Sequence, residues 1–453
     1  MTTTIRPTLI AALLLLPSAL AAQDIASYQP TADRIIQAAL ADSSAYDRLG
    51  RLVDTFGHRL SGSASLEQAI DWILAEMKKD GLANAQTEPV KVPHWVRGAE
   101  SVELISPRPL RLSMLGLGGS IGTPKAGITA PVLVVSTFEE LEARKAEAKG
   151  KIVLFDAPFT TYGETGRYRR TGAVAAARAG AVAVLIRSVG PYGIQTPHTG
   201  SMTYDSTVTK IPAAALSMEH AMMLHRMHDR GEKVTVRLKM EAKSLPDAIS
   251  RNVMGEIVGS EHPEEIVVIG GHIDSWDVGQ GAMDDGGGVV AAWEAVKLIQ
   301  RLGLKPRRTI RVVGWTNEEN GFRGATTYAA NLGEQVANHV FAIESDEGTF
   351  RPKGFSFTGS DAALAILRQV GALLKPIGAE SVTTGGGGAD IAPLMRLGVP
   401  GAGLDVEGDR YFWYHHTDGD TLDKLDPADF ARCVAAFAVM AYVVADLPER
   451  LPR

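Results

Sequence analysis

The chain is poor in cysteine, since its 453 residues include only Cys433. A single cysteine excludes an intrachain disulfide, so packing of the core has to stabilise the fold. Cys433 lies in an apolar stretch with helical spacing, where a buried core residue is more common than a nucleophile. No histidine adjoins it, although the partner that a cysteine hydrolase needs can be distant in sequence.

The chain also lacks an excess of positive charge. Its formal net charge is −6, and no long run of lysine and arginine occurs. Because binding to phosphates needs clustered cations, nucleic acid is not expected as a main partner. Apolar residues make up 45% and charged residues 22%, which is typical of soluble globular domains. The length predicts two or three domains.

No window of the mature chain is predicted to span a membrane. The apolar run Leu9–Leu16 is too short to cross a bilayer, which weighs against the alternative of a membrane anchor. It follows Arg6 and precedes Ala19 and Ala21, small residues that suit a signal-peptidase site. We therefore expect a signal peptide at 1–21 and a secreted or periplasmic protein. An exported chain without a disulfide framework favours a bacterial periplasm or medium.

Apolar periodicity divides the mature chain into three parts. Residues 22–125 begin with helical patterns, continue into extended segments and are assigned to the N-terminal part of a catalytic domain. Residues 126–242 form a separate inserted unit, with a helix predicted over Thr171–Ala179 and a loop over Val189–Ser206. Residues 243–453 form the main catalytic part.

This last part alternates apolar strands with helices. The strand candidates are residues 266–270, 309–313, 340–344 and 402–406. Helices are predicted over Gly287–Arg301, Phe322–Asn331, Ala362–Leu374 and Pro427–Ala445. Alternation of this kind predicts an α/β fold whose mixed, mainly parallel sheet is sandwiched by helices.

Ionisable residues follow the first predicted strand of the catalytic part, and functional groups in parallel sheets gather just past the strand ends. His272 and Asp274 are two residues apart, so an extended chain points them to the same side. A metal-bound imidazole usually gives its second N–H to a carboxylate, a role that Asp274 suits. For this pair alone, a polar strand end is an equally good interpretation.

A glycine-rich turn then leads into a predicted helix. It contains Asp284 and Asp285, whose adjacent carboxylates repel each other unless cations or a helix terminus offset the charge. Asp285 has the alternative role of a helix N-cap, whereas Asp284 in the turn before it is free to bind metal.

Three further signals follow later in the chain. Glu318 and Glu319 come directly after a strand, where one carboxylate can ligate a metal while its neighbour transfers protons. Asp346 lies at the next strand end, and His415 and His416 adjoin in a turn near the C-terminus. Each signal is weak, but all five in this order predict a di-metal hydrolase.

Four strings carry a resemblance over nearly all of the mature chain: GHIDSWDVGQGAMDDGGG, TNEENG, ESDEGTF and YHHTDGDT. They resemble the zinc aminopeptidase and carboxypeptidase family, peptidase family M28. Within that family they are most similar to the plasma glutamate carboxypeptidase subgroup, also called carboxypeptidase Q. Residues 126–242 resemble the protease-associated domain inserted in many of its members.

The resemblance implies a complete set of site residues. One zinc is expected between His272, Asp284 and Asp346, and a second between Asp284, Glu319 and His416, with Asp284 bridging. Glu318 takes the role of general acid/base, and Asp274 that of the carboxylate that orients His272. His415 is left as a neighbour or pocket residue.

The resemblance also implies an activity. Two Zn²⁺ per chain are expected, with Co²⁺ or Mn²⁺ as possible substitutes, in a metallo-exopeptidase that uses metal-activated water. The substrate is a dipeptide or short peptide with free termini, cut as a carboxypeptidase or dipeptidase, with an aminopeptidase as the alternative. A homodimer without a membrane anchor is the expected assembly.

Two other classes fit part of the pattern. They are a non-catalytic binding protein on the same fold, which should lose ligands, and a single-zinc relative of glutaminyl cyclase. The glycine-rich stretch 385–390 is interpreted either as part of the pocket wall or as a mobile surface loop.

Overall fold

The computed structural model describes residues 24–453, so the expected signal peptide lies outside the described residues. The strands are β1 (Ala83–Val96), β2 (Glu100–Ser106), β3 (Leu110–Leu112), β4 (Met114–Gly116), β5 (Ile128–Val135), β6 (Ile152–Phe155), β7 (Ala183–Arg187), β8 (Ala213–Leu216), β9 (Thr235–Met240), β10 (Lys243–Ile257), β11 (His262–His272), β12 (Arg308–Trp315), β13 (His339–Glu344), β14 (Pro352–Thr358), β15 (Ser381–Thr384) and β16 (Gly401–Val406). The helices are α1 (Gln29–Leu40), α2 (Ser44–Phe56), α3 (Ala64–Lys79), α4 (Phe138–Ala143), α5 (Lys145–Ala148), α6 (Tyr162–Arg178), α7 (Met218–Asp229), α8 (Gly287–Arg301), α9 (Glu318–Gly321), α10 (Arg323–Leu332), α11 (Asp361–Ala372), α12 (Ala392–Arg396), α13 (Tyr411–Tyr414) and α14 (Pro427–Asp446).

The first sheet has the strand order β1-β10-β12-β11-β13-β16-β14-β15. Its four central strands, β12, β11, β13 and β16, pair in parallel. They are the four strands predicted for the catalytic part, and their nearly continuous burial explains why they read as apolar runs. The outer strands add antiparallel pairs, so the predicted mixed, mainly parallel sheet is confirmed.

Helices cover both faces of this sheet. On one face α1, α2, α3, α8, α11 and α14 share a large apolar core, and on the other α10 and α12 form a smaller one. The helix α14 begins after Asp426, whose carboxylate accepts N–H bonds from Ala428 and Asp429 (2.8 and 3.1 Å). By length and composition α14 could cross a membrane, but 83% of its apolar window is buried, as in the core helix of a soluble domain.

The second sheet has the order β3-β2-β9-β5-β6-β7-β8-β4, with β5 to β8 in parallel. Strands β2, β3 and β4 precede residue 126 yet belong to this sheet, although the sequence assigns them to the catalytic part. Short strands carry no signal of the sheet they join, because β2 pairs with β9 and β4 with β8, about 100 or more positions later in the chain. The limits 22–125, 126–242 and 243–453 remain predictions.

The predicted helices agree with the structure except for α6. It begins at Tyr162 rather than at Thr171, because Thr161 is the N-cap and its hydroxyl accepts a bond from the N–H of Glu164 (3.2 Å). Glycines and arginines in its first half hide the apolar periodicity that marks the second half. The predicted loop 189–206 has neither helix nor strand, apart from an isolated bridge between Ser201 and Gly118.

Candidate metal centre

His272 ends the central strand β11 and is fully buried. Its Nδ1 lies 2.8 Å from the carbonyl oxygen of Asp274, which can only accept a hydrogen bond, so Nδ1 carries the proton. In the neutral ring Nε2 is then bare, and it faces Asp346 Oδ1 at 3.1 Å and Asp284 Oδ1 at 3.2 Å. A lone pair directed at two carboxylates is the arrangement expected when a cation lies between them.

Asp284 is held by a turn between β11 and α8. The carboxylate of Asp420 accepts N–H bonds from Ala282 (3.0 Å), Met283 (2.7 Å) and Asp284 itself (3.2 Å). These bonds direct the side chain of Asp284 inward, where its Oδ2 is buried without a hydrogen-bond partner.

Asp285 points the other way. Its carboxylate accepts N–H bonds from His272 (3.0 Å) and from Gly288 (3.1 Å) in the first turn of α8. Gly288 lies three residues on, so this second bond is of the N-cap type that the sequence offered as the alternative. Asp285 thus fixes the end of β11 against the start of α8.

The second group of donors lies on the other side of Asp284. His416 Nε2 is 3.0 Å from Glu319 Oε2 and 3.3 Å from Asp284 Oδ2, and all three residues are buried. The other oxygen of Glu319 accepts the N–H of Trp276 (3.1 Å), which orients the carboxylate. Asp284 consequently lies between two histidines, each with a further carboxylate.

Asp274 acts through two different atoms. Its carbonyl oxygen holds the ring of His272, whereas its carboxylate lies 3.8 Å from that ring and accepts N–H bonds from Glu318 (3.0 Å) and Glu319 (3.4 Å). The sequence expectation that the carboxylate orients His272 is thus corrected. The spacing of two residues does not require a contact between the side chains, because the backbone bends after β11 and brings the carbonyl oxygen of Asp274 to the ring of His272.

His415 packs against the same site. Its ring stacks on that of His416 with centroids 3.5 Å apart, and its Nε2 lies 3.5 Å from Asp284 Oδ2. Because Asp284 Oδ2 is closer to His416, which also contacts Glu319, the geometry favours His416 as the ligand and His415 as its neighbour. Burial lowers the pKa of His415 well below the ordinary value, so its ring is neutral.

The donor set fits zinc. Tetrahedral ligands at about 2.0–2.2 Å from Zn²⁺ lie about 3.4 Å from one another, close to the separations of 3.0–3.3 Å observed in both groups. Two imidazoles and three carboxylates, with no thiolate, also match the preferences of cobalt and manganese. The orphaned Oδ2 of Asp284 is the atom that a cation would satisfy.

Glu318 lies beside these donors on the wall of a cavity of ≈ 460 Å³. Burial raises the pKa of Glu318 well above the ordinary value, and the nearby charge of Asp346 raises it further. The cavity lies between the catalytic domain, which contains the first sheet, and the inserted domain, which contains the second sheet. The catalytic domain contributes Glu344, Glu347 and Asp405, while the inserted domain contributes Tyr162, Arg169 and Arg170. The stretch 385–390 forms part of the cavity wall, which includes Gly386, Gly387 and Gly388.

Two residues that hold the site were not predicted. Asp420 supports the turn of Asp284, and the buried Arg59 donates to the carbonyl oxygens of Ile273, Gly57, Gln280 and Gly281 (2.7–2.8 Å). Asp420 lies within the string YHHTDGDT, whereas Arg59 lies outside the four strings. Their roles stay hidden because their partners are distant in the chain.

Comparison with known proteins also identifies a peptidase with an inserted domain. Residues 252–441 match the model of peptidase family M28, and residues 126–224 match the PA domain. Carboxypeptidase Q of Xenopus laevis is 51% identical over 433 residues, which cover 95% of this chain and 92% of the relative. Carboxypeptidase Q of Homo sapiens is 48% identical over 434 residues, with the same coverage.

A solved structure is also similar. The peptidase M28 precursor from Shewanella amazonensis SB2B superimposes with a TM-score of 0.92 at 38% identity, covering 95% of this chain and 99% of that chain. The fold and the donor set define a zinc metallopeptidase with an inserted protease-associated domain. The chain belongs to peptidase family M28, as the sequence predicted.

Proposed function

We propose that this zinc exopeptidase is an exported di-zinc enzyme that hydrolyses dipeptides or short peptides with free termini. The observation that carries the proposal is Asp284, which lies between two histidine–carboxylate groups on the wall of one cavity. One zinc would be held by His272, Asp284 and Asp346, and the other by Asp284, Glu319 and His416. When bound, such a pair of ions supplies Lewis acidity and lowers the pKa of water.

Glu318 is the proposed general acid/base. Its carboxylate lines the cavity beside Asp284 and Asp346, and its backbone N–H is fixed by Asp274. There it would accept a proton from the attacking water and return it to the departing amine of the cleaved peptide. Asp274 contributes by positioning, since it fixes both Glu318 and His272.

The charges of the cavity support a small zwitterionic substrate. Arg169 and Arg170 offer cations to a free carboxylate, whereas Glu347 and Asp405 offer carboxylates to a free ammonium group. A cavity of ≈ 460 Å³ is suited to a small molecule rather than to a folded chain. Recognition of both ends favours the carboxypeptidase or dipeptidase type, whereas an aminopeptidase would depend on the ammonium group alone.

Export and assembly complete the proposal. The sequence pattern of residues 1–21 supports a cleaved signal peptide and a secreted or periplasmic enzyme. The buried position of α14 supports a protein without a membrane anchor after cleavage. The homodimer is proposed on the family resemblance alone.

The test combines metal analysis with cleavage of dipeptides that are free, N-acetylated or C-amidated. Wild type and Glu318→Gln should each contain two metals per chain, and the variant should lose about 10²–10⁴-fold in kcat. Glu142→Gln is the matched control, because this exposed glutamate on α4 pairs with Lys145, away from the cavity, and should leave activity unchanged.

The blocked substrates separate the alternatives. Loss of cleavage with either block supports a dipeptidase, whereas cleavage of the C-amidated substrate alone supports an aminopeptidase. One metal per chain in the active wild type would contradict the di-zinc site. A fully loaded wild type that cleaves none of the substrates would instead support a binding protein.

A further inference from the structure

A loop of the inserted domain lies directly against the turn that carries His415 and His416. The backbone N–H of Thr199 donates to the carbonyl oxygen of His416 (2.9 Å), and the Thr199 carbonyl oxygen lies 3.4 Å from His416 Nδ1. His198 Nδ1 lies 2.8 Å from the carbonyl oxygen of His415. Two successive residues of one domain thus contact both histidines of the other.

The contact of His198 is specific to one ring nitrogen. A carbonyl oxygen only accepts, so Nδ1 must carry the proton and donate it to His415. The ring is 1% exposed, and its other nitrogen, Nε2, is buried without a partner. A neutral histidine that leaves one nitrogen unsatisfied is held there by its single donated bond.

The loop is itself fixed to the inserted sheet. The N–H of His198 donates to Ser188 Oγ (2.9 Å), and this hydroxyl donates to the carbonyl oxygen of Leu216 at the end of β8 (2.6 Å). The hydroxyl of Thr199 donates to the carbonyl oxygen of Gly116 in β4 (2.7 Å). The positions of His198 and Thr199 are therefore set by the inserted domain.

His416 needs such support for two reasons. Its φ is +62°, a left-handed conformation that a non-glycine residue keeps only when its surroundings impose it. In addition, Nδ1 of His416 lies 3.4 Å from the Thr199 carbonyl oxygen and 3.4 Å from Arg169 Nη1. In the tautomer whose Nδ1 donates to this carbonyl, Nε2 is bare toward Asp284 and Glu319. Arg169 donates to the same carbonyl oxygen (3.2 Å) and keeps it in place.

We propose that His198 and Thr199 are positioning residues through which the inserted domain holds the His416 metal site, an inference that rests on the proposed two-metal centre. The His272 site has no such dependence, because its ring is held by Asp274 within the catalytic domain. Loss of the His198 contact should therefore weaken one metal site and spare the other.

The test measures metal release from the two-metal protein into a chromogenic chelator. In His198→Leu, one of the two zinc ions should be released about 10–100-fold faster than in wild type, while the other keeps its rate. His198→Asn should restore slow release, because the asparagine amide N–H lies near the position of Nδ1. His225→Leu is the matched control, since this histidine of α7 bonds to Asp156 instead of to the His415–His416 turn.

Two variants of equal polarity keep the test valid if His198→Leu fails to fold. His198→Gln places its amide near the position of Nε2, so it should release one zinc rapidly where His198→Asn does not. Equal release from His198→Gln, His198→Asn and wild type, or acceleration of both ions together, would overturn the proposal. A wild type with a single zinc would instead contradict the two-metal centre itself.

Discussion

The catalytic and inserted domains both have a sheet with four parallel strands at its centre, and both place an aspartate after such a strand. In the inserted domain this residue is Asp156, which follows β6 and lies 2.7 Å from His225 Nδ1 and 3.5 Å from Arg187 Nη1. In the catalytic domain it is Asp284, which follows β11 and has an oxygen with no hydrogen-bond partner. The two environments differ in whether the carboxylate is satisfied.

This difference separates a structural cluster from a functional one. A buried carboxylate that contacts a histidine and an arginine is stabilised by the protein alone. Asp284 instead faces Nε2 of His272 and of His416, whose Nδ1 atoms lie 2.8 Å and 3.4 Å from backbone carbonyl oxygens on the opposite side of each ring. The two aspartates are alike in residue type and burial, so the direction of the donors around them distinguishes the sites.

The largest effect is expected when the charge of one aspartate is removed from each domain. Asp284→Asn should reduce the zinc content from two ions to less than one per chain, because both proposed sites share this carboxylate. Loss of metal assistance worth several kcal/mol predicts at least about a thousandfold decrease in kcat/KM. Metal analysis and dipeptide cleavage measure both effects.

Asp156→Asn is the matched substitution. It removes the charge that pairs with His225 and Arg187, so we expect a lower free energy of unfolding with unchanged zinc content and kcat/KM. Equal loss of zinc in the two variants would show that donor direction does not distinguish the sites.

The next effect concerns Arg59, which links the segment before α3 to the turn of Asp284. Burial lowers the pKa of Arg59 to about 10, so the guanidinium stays charged at neutral pH while it donates to four carbonyl oxygens. Arg59→Met leaves these oxygens without a donor and should decrease the free energy of unfolding by about 3 kcal/mol or more. Urea denaturation measures the change.

Arg34→Met provides the control for Arg59, because this arginine donates at the surface to the carbonyl oxygen of Leu302 (2.8 Å). We expect a change within about 0.5 kcal/mol. A change in the free energy of unfolding as small for Arg59→Met as for Arg34→Met would mean that the buried network does not stabilise the catalytic domain.

A smaller, pH-dependent effect is expected from His339 in β13. Burial lowers its pKa to about 4, so between pH 6.5 and 4 the unfolded chain binds a proton that the folded chain does not. The contribution of the neutral ring is therefore full above pH 6.5 and is lost as the pH falls toward 4. We expect His339 to account for about 2 kcal/mol of the stability lost between pH 7 and 5.

The measurement compares urea denaturation of wild type and His339→Gln at the two pH values, with zinc removed from both samples. The glutamine does not titrate, so the variant should lose about 2 kcal/mol less than wild type over this interval. Identical losses would show that His339 is not the group responsible.

Much of the fold could be predicted from the sequence because its signals are local. The strands β11, β12, β13 and β16 are buried on both faces and read as continuous apolar runs, and α8 begins at the predicted Gly287 after a glycine turn. The candidate ligands could likewise be named, since each follows a strand or lies in a short string.

The supporting residues could not be predicted, because their partners are distant. Asp420 accepts bonds from residues about 137 positions earlier, and His198 contacts a residue 217 positions later. The first half of α6 was missed for a local reason, since Gly163 and Gly166 interrupt its apolar pattern. None of the ligands predicted from the sequence lies in the inserted domain, yet its loop contacts the turn of His415 and His416.

The smallest effect compares the same substitution in one helix of each domain. Gly163 lies in the first turn of α6, and a Cβ there would meet no atom within 4 Å, so Gly163→Ala should raise the free energy of unfolding by about 0.5–1 kcal/mol. In α11, a Cβ on Gly371 would lie 2.7 Å from Val382 Cγ2 and 2.9 Å from the carbonyl oxygen of Glu380. Gly371→Ala should therefore lower the free energy of unfolding by about 1–3 kcal/mol, as overpacking does. Urea denaturation of the two variants measures the opposite signs, and stabilisation by both would mean that β15 shifts to admit the methyl group.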